Sequence, residues 1–122
     1  MEAIGQIFSS TEADNLFGYI NASVQIETAI LSNFCSISSG KLMFKVKNNY
    51  PVILDNKRQV LFPEGEIISP DEVFIMFTTN KVEELISEGK AATTQLQQRE
   101  EVLSIQNGNF VLEIGLPCPP YC

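Results

Sequence analysis

The chain has 122 residues, a common size for one domain, and 44% of them are hydrophobic, which predicts a single hydrophobic core. Its formal net charge of −7 and its scattered basic residues argue against nucleic-acid binding, because such a surface repels phosphate backbones. The absence of histidine excludes Ser-His-Asp and Cys-His catalysis and every zinc site that uses histidine.

The ends of the chain carry no targeting or membrane signal that we recognise. Residues 1–5 contain no basic segment followed by an apolar one, and no run of about 18 apolar residues occurs anywhere. We therefore expect no membrane partner and a cytoplasmic location. No internal repeat or linker is apparent, which predicts one α+β domain at 1–116 and a Pro/Cys-rich tail at 117–122.

The first third of the chain mixes strand and helix patterns. Residues 4–8 predict a short strand, and residues 10–15 predict a turn or a helical turn, in which Thr11 and Asp14 resemble an N-cap pair. Residues 22–27 alternate between polar and apolar side chains, which is typical of a half-buried strand. Apolar residues at helical spacing then predict a short helix at 28–36.

Residues 41–62 consist of three β-rich runs separated by turn residues. Asn48 and Asn49 lie between the first two runs, and Asp55 and Asn56 lie between the last two. Asparagine and aspartate tolerate the left-handed backbone that tight hairpins use. The segment therefore predicts a meander of three antiparallel strands.

Residues 70–89 carry the signals of two consecutive helices. Ser69 can cap the first helix, Pro70 suits its first position, and Glu72 can complete a capping box. The segment Thr78-Thr79-Asn80 can cap the second helix, which Gly89 terminates.

The last regular structure is predicted to be a hairpin of residues 102–106 and 109–114 around an Asn107-Gly108 type I′ turn. Polar residues 93–100 extend its first strand as a long edge that could accept a partner strand. The fold class is therefore predicted as α+β, with an antiparallel sheet (the meander plus the C-terminal hairpin) and two or three short helices packed on one face.

The cysteines allow more than one interpretation. Cys118 and Cys122 flank two prolines in a C-x3-C pattern, which differs from the C-x-x-C of thioredoxin-like sites. They could form a disulfide, pack as small hydrophobic residues, act as a redox pair, or bind a metal shared between subunits. Cys35 has apolar neighbours and is predicted to be a buried core thiol.

No catalytic, cofactor or phosphate-binding motif is present, and neither G-x-G-x-x-G nor a Walker loop occurs. We therefore predict no cofactor and no resident metal, and expect a non-catalytic interaction or assembly module whose partner is another protein or a second copy of the chain. Phe62, Phe110 and Tyr121 are candidate surface residues for that interaction. The alternatives are a thiol-based redox or intersubunit metal site at Cys118 and Cys122, and a small-molecule pocket.

Overall fold

The structure is a computed structural model that describes residues 3–100 and 102–122. These residues form ten strands and three helices. In chain order they are β1 (Gln6–Ser9), α1 (Ser10–Phe17), β2 (Ile20–Glu27), α2 (Thr28–Ile37), β3 (Lys41–Lys47), β4 (Tyr50–Leu54), β5 (Val60–Phe62), β6 (Phe74–Thr78), α3 (Thr79–Gly89), β7 (Thr93–Arg99), β8 (Leu103–Asn107), β9 (Phe110–Glu113) and β10 (Leu116–Cys118).

The strands form two antiparallel five-stranded sheets, and the predicted α+β class is confirmed. Sheet 1 has the strand order β1-β9-β8-β7-β2, and sheet 2 has the order β10-β6-β3-β4-β5. The predicted meander is strands β3, β4 and β5, and the predicted C-terminal hairpin is β8 and β9. Because the meander and the hairpin belong to different sheets, the fold contains two sheets where the sequence suggested one.

The same order of elements occurs twice along the chain. The first half runs β2-α2-β3-β4-β5, and the second half runs β6-α3-β7-β8-β9. The halves exchange their first strands, since β2 pairs with β7 and β6 pairs with β3. Two equivalent hydrogen bonds mark the exchange: Thr28 N–H donates to Ala92 O, and Thr79 N–H donates to Gly40 O, both at 2.9 Å.

The main core lies between the two sheets and includes the buried faces of α2 and α3. Helix α2 contacts β2, β3 and β7, while α3 contacts strands of both sheets. The helices contribute Leu31, Phe34, Val82 and Leu85. The strands contribute Val24, Ile26, Leu42, Phe44, Ile53, Phe77, Leu96, Leu103, Ile105 and Leu112.

The outer faces of the two sheets differ in chemistry. Sheet 2 carries a second buried apolar cluster on its outer face: Met43, Val52, Leu54, Phe74, Met76 and Cys118. Sheet 1 carries polar residues instead, and its outer face holds the buried side chains of Arg99, Ser104 and Glu113. Helix α1 contacts β1 and β9 and lies over part of this polar face.

The predicted helix after Ser69 is wrong, because residues 69–73 form a turn that leads into strand β6. Half of the predicted capping box forms, since Ser69 N–H donates to Glu72 Oε1 at 3.4 Å. Glu72 N–H donates to the backbone carbonyl of Ser69 at 3.2 Å, which is a turn hydrogen bond and not the side-chain bond of a capping box. These two hydrogen bonds close a single turn and do not continue into a helix. Phe74–Thr78 then lies between β3 and β10, where tertiary pairing outweighs local helix signals.

The N-cap of α1 is also shifted from its predicted position. Helix α1 has Ser9 as its N-cap rather than Thr11, with a capping box in which Glu12 N–H donates to Ser9 Oγ and Ser9 N–H donates to Glu12 Oε1. Helix α3 has Thr78, the first residue of the predicted Thr78-Thr79-Asn80 cap, as its N-cap. Helix α2 agrees with the prediction at 28–36.

The hairpin turn consists of Gly108 and Asn109, one residue later than predicted, because Asn107 pairs with Phe110. Only the first turn residue, Gly108, has a positive φ, which is the type II′ pattern rather than type I′. Asn107 is buried instead. Its amide hydrogen-bonds the backbone of Ala91 and the hydroxyl of Thr94, so it joins the hairpin to the preceding segment.

Candidate interaction edge

The four edge strands of the described sheets differ in length and in protection. Strand β1 has four residues, while β5 and β10 have three each. Pro63 follows β5 directly and Pro117 lies inside β10, and proline has no N–H to offer a partner strand. Strand β2 has eight residues, no proline, no lysine or arginine, and one charged residue, Glu27, and its pairing with β7 is regular from Ala22 onward, after a register shift between Ile20 and Ala22. Strand β2 is therefore the longest edge strand of the described sheets.

The prediction that residues 93–100 form the edge is wrong, because β7 lies between β8 and β2. Strand β2 pairs with β7 through residues that include Val24 opposite Leu96 and Glu27 opposite Thr93. The exposed position that the sequence assigned to β7 therefore belongs to β2.

The hydrogen-bond register shows which backbone groups of β2 face outward. Thr28 lies opposite Ala92 in continuation of the β2–β7 register, and its N–H donates to Ala92 O. Hydrogen-bonded and non-hydrogen-bonded pairs alternate in an antiparallel ladder, so Ile26 and Val24 also bond to β7. The N–H and C=O groups of the residues between them point to the free edge. These residues are Ser23, Gln25 and Glu27.

Side-chain burial divides the strand in the same way. Val24 and Ile26 are buried in the main core, whereas Ser23, Gln25 and Glu27 are exposed. The outward-facing backbone therefore belongs to polar residues whose side chains lie on the outer face of sheet 1. A strand added here would meet free backbone groups without displacing a core residue.

The equivalent edge of β6 is covered by the chain itself. Thr78 corresponds to Glu27, since each directly precedes the first residue of its helix, and Thr78 N–H donates to Ile4 O at 3.2 Å. Further along β6, Met76 lies opposite Leu116 and Phe74 lies opposite Cys118. Along β2, the described residues offer no corresponding cover.

Exposed apolar side chains lie at the start of the open edge. Tyr19 directly precedes β2 and is 90% exposed, and both Leu16 and Ile20 are also exposed. Ile30, near the start of α2, is exposed as well. Aromatic and aliphatic residues beside free backbone groups are typical of surfaces that bind other proteins.

The predicted thiol site is a disulfide between Cys118 and Cys122. Cys118 is buried in the outer cluster of sheet 2, and Arg58 Nη1 donates to its carbonyl oxygen at 2.9 Å. Arg58 Nη2 also donates to Glu72 O at 2.8 Å. The predicted tail boundary at 116/117 falls inside β10, so Pro117 and Cys118 belong to the sheet.

Cys35 is buried, as predicted, and has no disulfide partner. Burial, with a smaller contribution from the charge of Glu83, raises the pKa of the Cys35 thiol to about 12. The thiolate is the reactive form of cysteine, so this residue is unreactive at neutral pH.

The predicted surface residues Phe62, Phe110 and Tyr121 lie on β5, on β9 and in the C-terminal segment respectively. Phe62 and Phe110 are partly buried and pack against the main core. Tyr121 is 61% exposed. The sequence did not single out Tyr19, whose exposure depends on the end of α1 and the start of β2.

Two ionic clusters lie under covering segments. On sheet 2, Lys45 Nζ contacts Glu72 Oε2 at 2.7 Å and Lys47 Nζ contacts it at 3.2 Å. The hydrogen bond from Lys45 is the largest cause that lowers the pKa of Glu72 to about 2. The turn of residues 69–73 is therefore held to the sheet by charge.

On sheet 1, the buried Arg99 contacts the buried Glu113, with 3.2 Å between Arg99 Nε and Glu113 Oε2. Ser104 Oγ donates to the same oxygen at 2.6 Å, and Asp14 of α1 accepts a hydrogen bond from Arg99. Glu113 Oε1 has no hydrogen-bond partner among the described residues. Burial raises the pKa of Glu113 despite these partners.

Two apolar cavities of about 290 and 310 Å³ flank Ile114. No charged side chain lines either cavity in the described part of the chain. Sites that bind small molecules combine apolar walls with a few polar groups that fix orientation, and the side chain of Gln6 is such a group in the cavity of about 310 Å³.

No helix in residues 3–100 and 102–122 is long and apolar enough to cross a membrane. The same residues contain no cluster of three or more side chains suited to hold a metal ion. Comparison of the chain with protein families, with curated proteins and with solved structures found no match. The functional argument therefore depends on the geometry of this molecule.

Proposed function

We propose that this chain is a non-catalytic protein-interaction or assembly module that accepts an extended strand at the open edge of β2. One observation carries the proposal: Ser23, Gln25 and Glu27 present their backbone groups outward along residues 22–27, the regular part of a strand that carries no positive charge and no proline. Strand addition of this kind obtains affinity from backbone hydrogen bonds and specificity from the side chains beside them.

The contrast with the other edges supports this proposal. Proteins usually protect edge strands with short length, proline, lysine or a covering segment, because an open edge can pair with other chains. Strands β1, β5 and β10 are short, and β6 is covered by Ile4 and β10. The pairing of β2 shifts register between Ile20 and Ala22, but residues 22–27 form a regular edge without lysine or proline. Among the described edge strands this edge is the exception, which suggests that it has a partner.

The ionisable groups support a binding role over catalysis. Glu72 and Glu113, the carboxyl groups with the clearest ion-pair partners, bond to Lys45 and Arg99 and line neither apolar cavity. A general acid or base must reach a substrate in a cleft. These carboxylates instead hold a turn and a helix to the sheets.

Amide hydrogen exchange, read residue by residue by NMR, tests the proposal. In dilute monomer, the amides of Ser23, Gln25 and Glu27 should exchange quickly, while those of Val24 and Ile26 should be protected by β7. Strand addition should slow the three outward amides and leave the other two unchanged. Protection of the outward amides in a monomer would mean that the edge is already covered, and the proposal would fail.

A thiol-based function at Cys118 and Cys122 is the second candidate, and the observation that favours it is their disulfide. A dithiol reductant would transfer two electrons and two protons to the bond, leaving two thiols and an oxidised reductant. The bond closes a short loop, so reduction should lower the free energy of unfolding by about 2 kcal/mol. Disulfides persist best in oxidising compartments, so the predicted cytoplasmic location argues against this candidate.

Thiol titration and metal analysis, with and without reductant, distinguish this candidate from a structural disulfide. The matched control is Cys122→Ser, which should resemble the reduced wild type and should not respond to reductant. A bound metal after reduction, or reduction at the potential of a cellular dithiol pool, would support the thiol function. A disulfide that resists reduction and binds no metal would reject it.

A further inference from the structure

The segment that joins the two sheets contains a strained residue. Strand β9 ends at Glu113 and β10 begins at Leu116, so the crossover segment, residues 114–117, carries the chain from sheet 1 to sheet 2. Ile114 has a φ of 64°, in the left-handed region, and its side chain is 50% exposed. A β-branched residue is rare in this region, because its Cβ crowds the following carbonyl oxygen.

Close packing on strand β6 holds the crossover segment in place. A Cβ atom at Gly115 would lie 2.8 Å from Phe77 Cζ and 2.9 Å from Met76 O, so only glycine fits there. Glycine would also adopt the backbone of position 114 without the steric cost that isoleucine meets. Stability alone therefore favours a second glycine at 114, and residues kept in strained conformations often lie at binding sites.

The two apolar cavities meet at the Ile114 side chain. Gly115 and Pro117 line the cavity of about 290 Å³, Leu116 lines the cavity of about 310 Å³, and Ile114 lines both. The cavities therefore lie on opposite sides of the crossover segment. Each alone is near the lower limit of about 300 Å³ for ligand sites, whereas the two together lie well inside the range.

We infer that the two cavities bind one flexible apolar chain, of the acyl or alkyl class, that bends around Ile114. A rigid ligand cannot enter both sides of one side chain, whereas a chain with free rotation about its bonds can. Apolar side chains form the walls, with Val73, Ile75 and Leu103 on one side and Ile4 on the other. Val73 is 48% exposed, so the ligand would cover apolar surface that now faces solvent.

The polar end of the ligand is expected to be uncharged. No charged side chain lines either cavity in the described residues, and burying an ionised group there without a partner would be strongly unfavourable. Gln6 lines the cavity of about 310 Å³, and its amide can hydrogen-bond an alcohol, an ester or another amide. The head group is therefore expected at Gln6, with the chain extending past Ile114 towards Val73.

Alcohols of different length test the inference with the wild-type protein. Binding of 1-decanol is measured by calorimetry, and its site is mapped by the NMR shifts of Ile4, Val73 and Ile114. Each buried methylene should strengthen binding roughly fourfold, so 1-hexanol, which can fill one cavity, should bind at least about tenfold more weakly. Equal affinities, no binding of 1-decanol up to its solubility limit, or shifts at other residues would overturn the inference.

Variants at position 114 test the role of the strained side chain. Ile114→Ala and Ile114→Gly remove contacts to both halves of the chain and should weaken 1-decanol binding about tenfold or more. The matched control is Ile37→Ala on α2, because Ile37 is 61% exposed and lines neither cavity, and it should leave the affinity unchanged. Ile114→Gly should also melt about 3 °C or more above Ile114→Ala, because glycine relieves the strain.

Decanoate and Gln6→Leu test the head group. Decanoate should bind at least about tenfold more weakly than 1-decanol, because its carboxylate would find no cationic partner in the cavities. Gln6→Leu keeps a side chain of similar size but removes the hydrogen bond, and it should weaken 1-decanol binding about fivefold. Tighter binding of decanoate, or an unchanged affinity in Gln6→Leu, would overturn the assignment of an uncharged head group at Gln6.

This site is separate from the proposed strand addition at β2, so either can fail without the other. Binding of 1-decanol should leave the amide exchange of Ser23 and Gln25 unchanged. If Ile114→Ala kept the affinity for 1-decanol, or if Ile114→Gly melted no higher than Ile114→Ala, Ile114 would not be kept for binding and the inference would be overturned. A peptide that shifts Val73 and Ile114 where 1-decanol does not would assign the cavities to a protein partner and also overturn it.

Discussion

The two halves of the molecule share one order of elements, yet their first strands, β2 and β6, differ in whether another segment covers the outward edge. The outward edge of β6 is covered by Ile4 and by β10, whereas the outward edge of β2 has no cover in the described chain. Both covering segments lie outside the repeated unit, and the N-terminal segment also supplies β1 to the edge of β9. The N-terminal and C-terminal segments therefore pair with strands of the second half, and the outward edge of β2 in the first half stays open.

The outer faces of the sheets show a second difference. Sheet 2 buries an apolar cluster that includes Phe74, Met76 and Cys118, under a turn held by the charges of Glu72 and Lys45. Sheet 1 buries the Arg99–Glu113 pair on a polar face. The two faces should therefore respond differently when a charge is removed, because only in sheet 1 does the charge lie inside the buried layer.

The largest expected effect is that of removing Arg99. Arg99→Ala leaves Glu113 buried without its counter-charge, and broken buried pairs of this kind cost about 3 to 5 kcal/mol. Urea unfolding near neutral pH measures the loss. Glu113→Gln is the matched control, and its free energy of unfolding should fall by less. A neutral amide can still accept the hydrogen bond from Ser104, and Arg99 still donates its hydrogen bond to Asp14.

The pH dependence of Arg99→Ala tests the same argument. Burial already raises the folded-state pKa of Glu113, so its ionised form is less favourable in the folded protein than in the unfolded one. Stability from this group is present at low pH and is lost as pH rises through the folded pKa. Without Arg99, the loss in the free energy of unfolding relative to wild type should grow as pH rises. A loss below about 1 kcal/mol at neutral pH would contradict the ion-pair role.

A smaller effect is expected on sheet 2 from Glu72→Gln. The folded pKa of Glu72 is about 2 against an ordinary value of 4.5, so its contribution is complete above the ordinary value and is lost as pH falls towards 2. Wild type should exceed Glu72→Gln by about 1 kcal/mol near pH 6, since the group lies close to the surface, and the two should converge near pH 2.

The control for this measurement is Glu88→Gln, an exposed carboxyl group with no ion pair among the described residues. It should change stability by less than about 0.5 kcal/mol at either pH. If Glu72→Gln behaved like Glu88→Gln, the charges of Lys45 and Lys47 would not hold the turn of residues 69–73 to sheet 2.

Much of the local structure could be predicted because its signals lie within a few residues. Asn48 and Asn49 both have positive φ, as the predicted tight turn between β3 and β4 requires. Helix α2 and the β8–β9 hairpin likewise follow from short patterns. The exchange of β2 and β6 has no such pattern, because it pairs segments about 70 and 35 residues apart in sequence whose side chains are merely compatible.

The candidate site was missed for the same physical reason. Residues 93–100 were predicted as the edge from their polarity, but β2 occupies that side of β7. The polarity of β7 instead reflects the outer face of sheet 1, where Gln97 and Arg99 are buried beside other polar side chains. The lack of lysine and proline in residues 20–27 was visible, yet it marks an open edge only once the topology is known.

Apart from that of the Glu88→Gln control, the smallest expected change in stability is that of Gln25→Pro, and it tests the comparison of the two edges most directly. The N–H of Gln25 points outward, so in dilute monomer proline there should cost less than about 1 kcal/mol relative to Gln25→Ala. The N–H of Ile26 bonds to β7, so Ile26→Pro should cost about 3 kcal/mol or more relative to Ile26→Ala. Equal costs at the two positions, measured by urea unfolding, would mean that the outward and inward positions are misassigned. The edge of β2 would then offer no free backbone groups at Ser23 and Gln25, and the proposed strand addition would lose its basis.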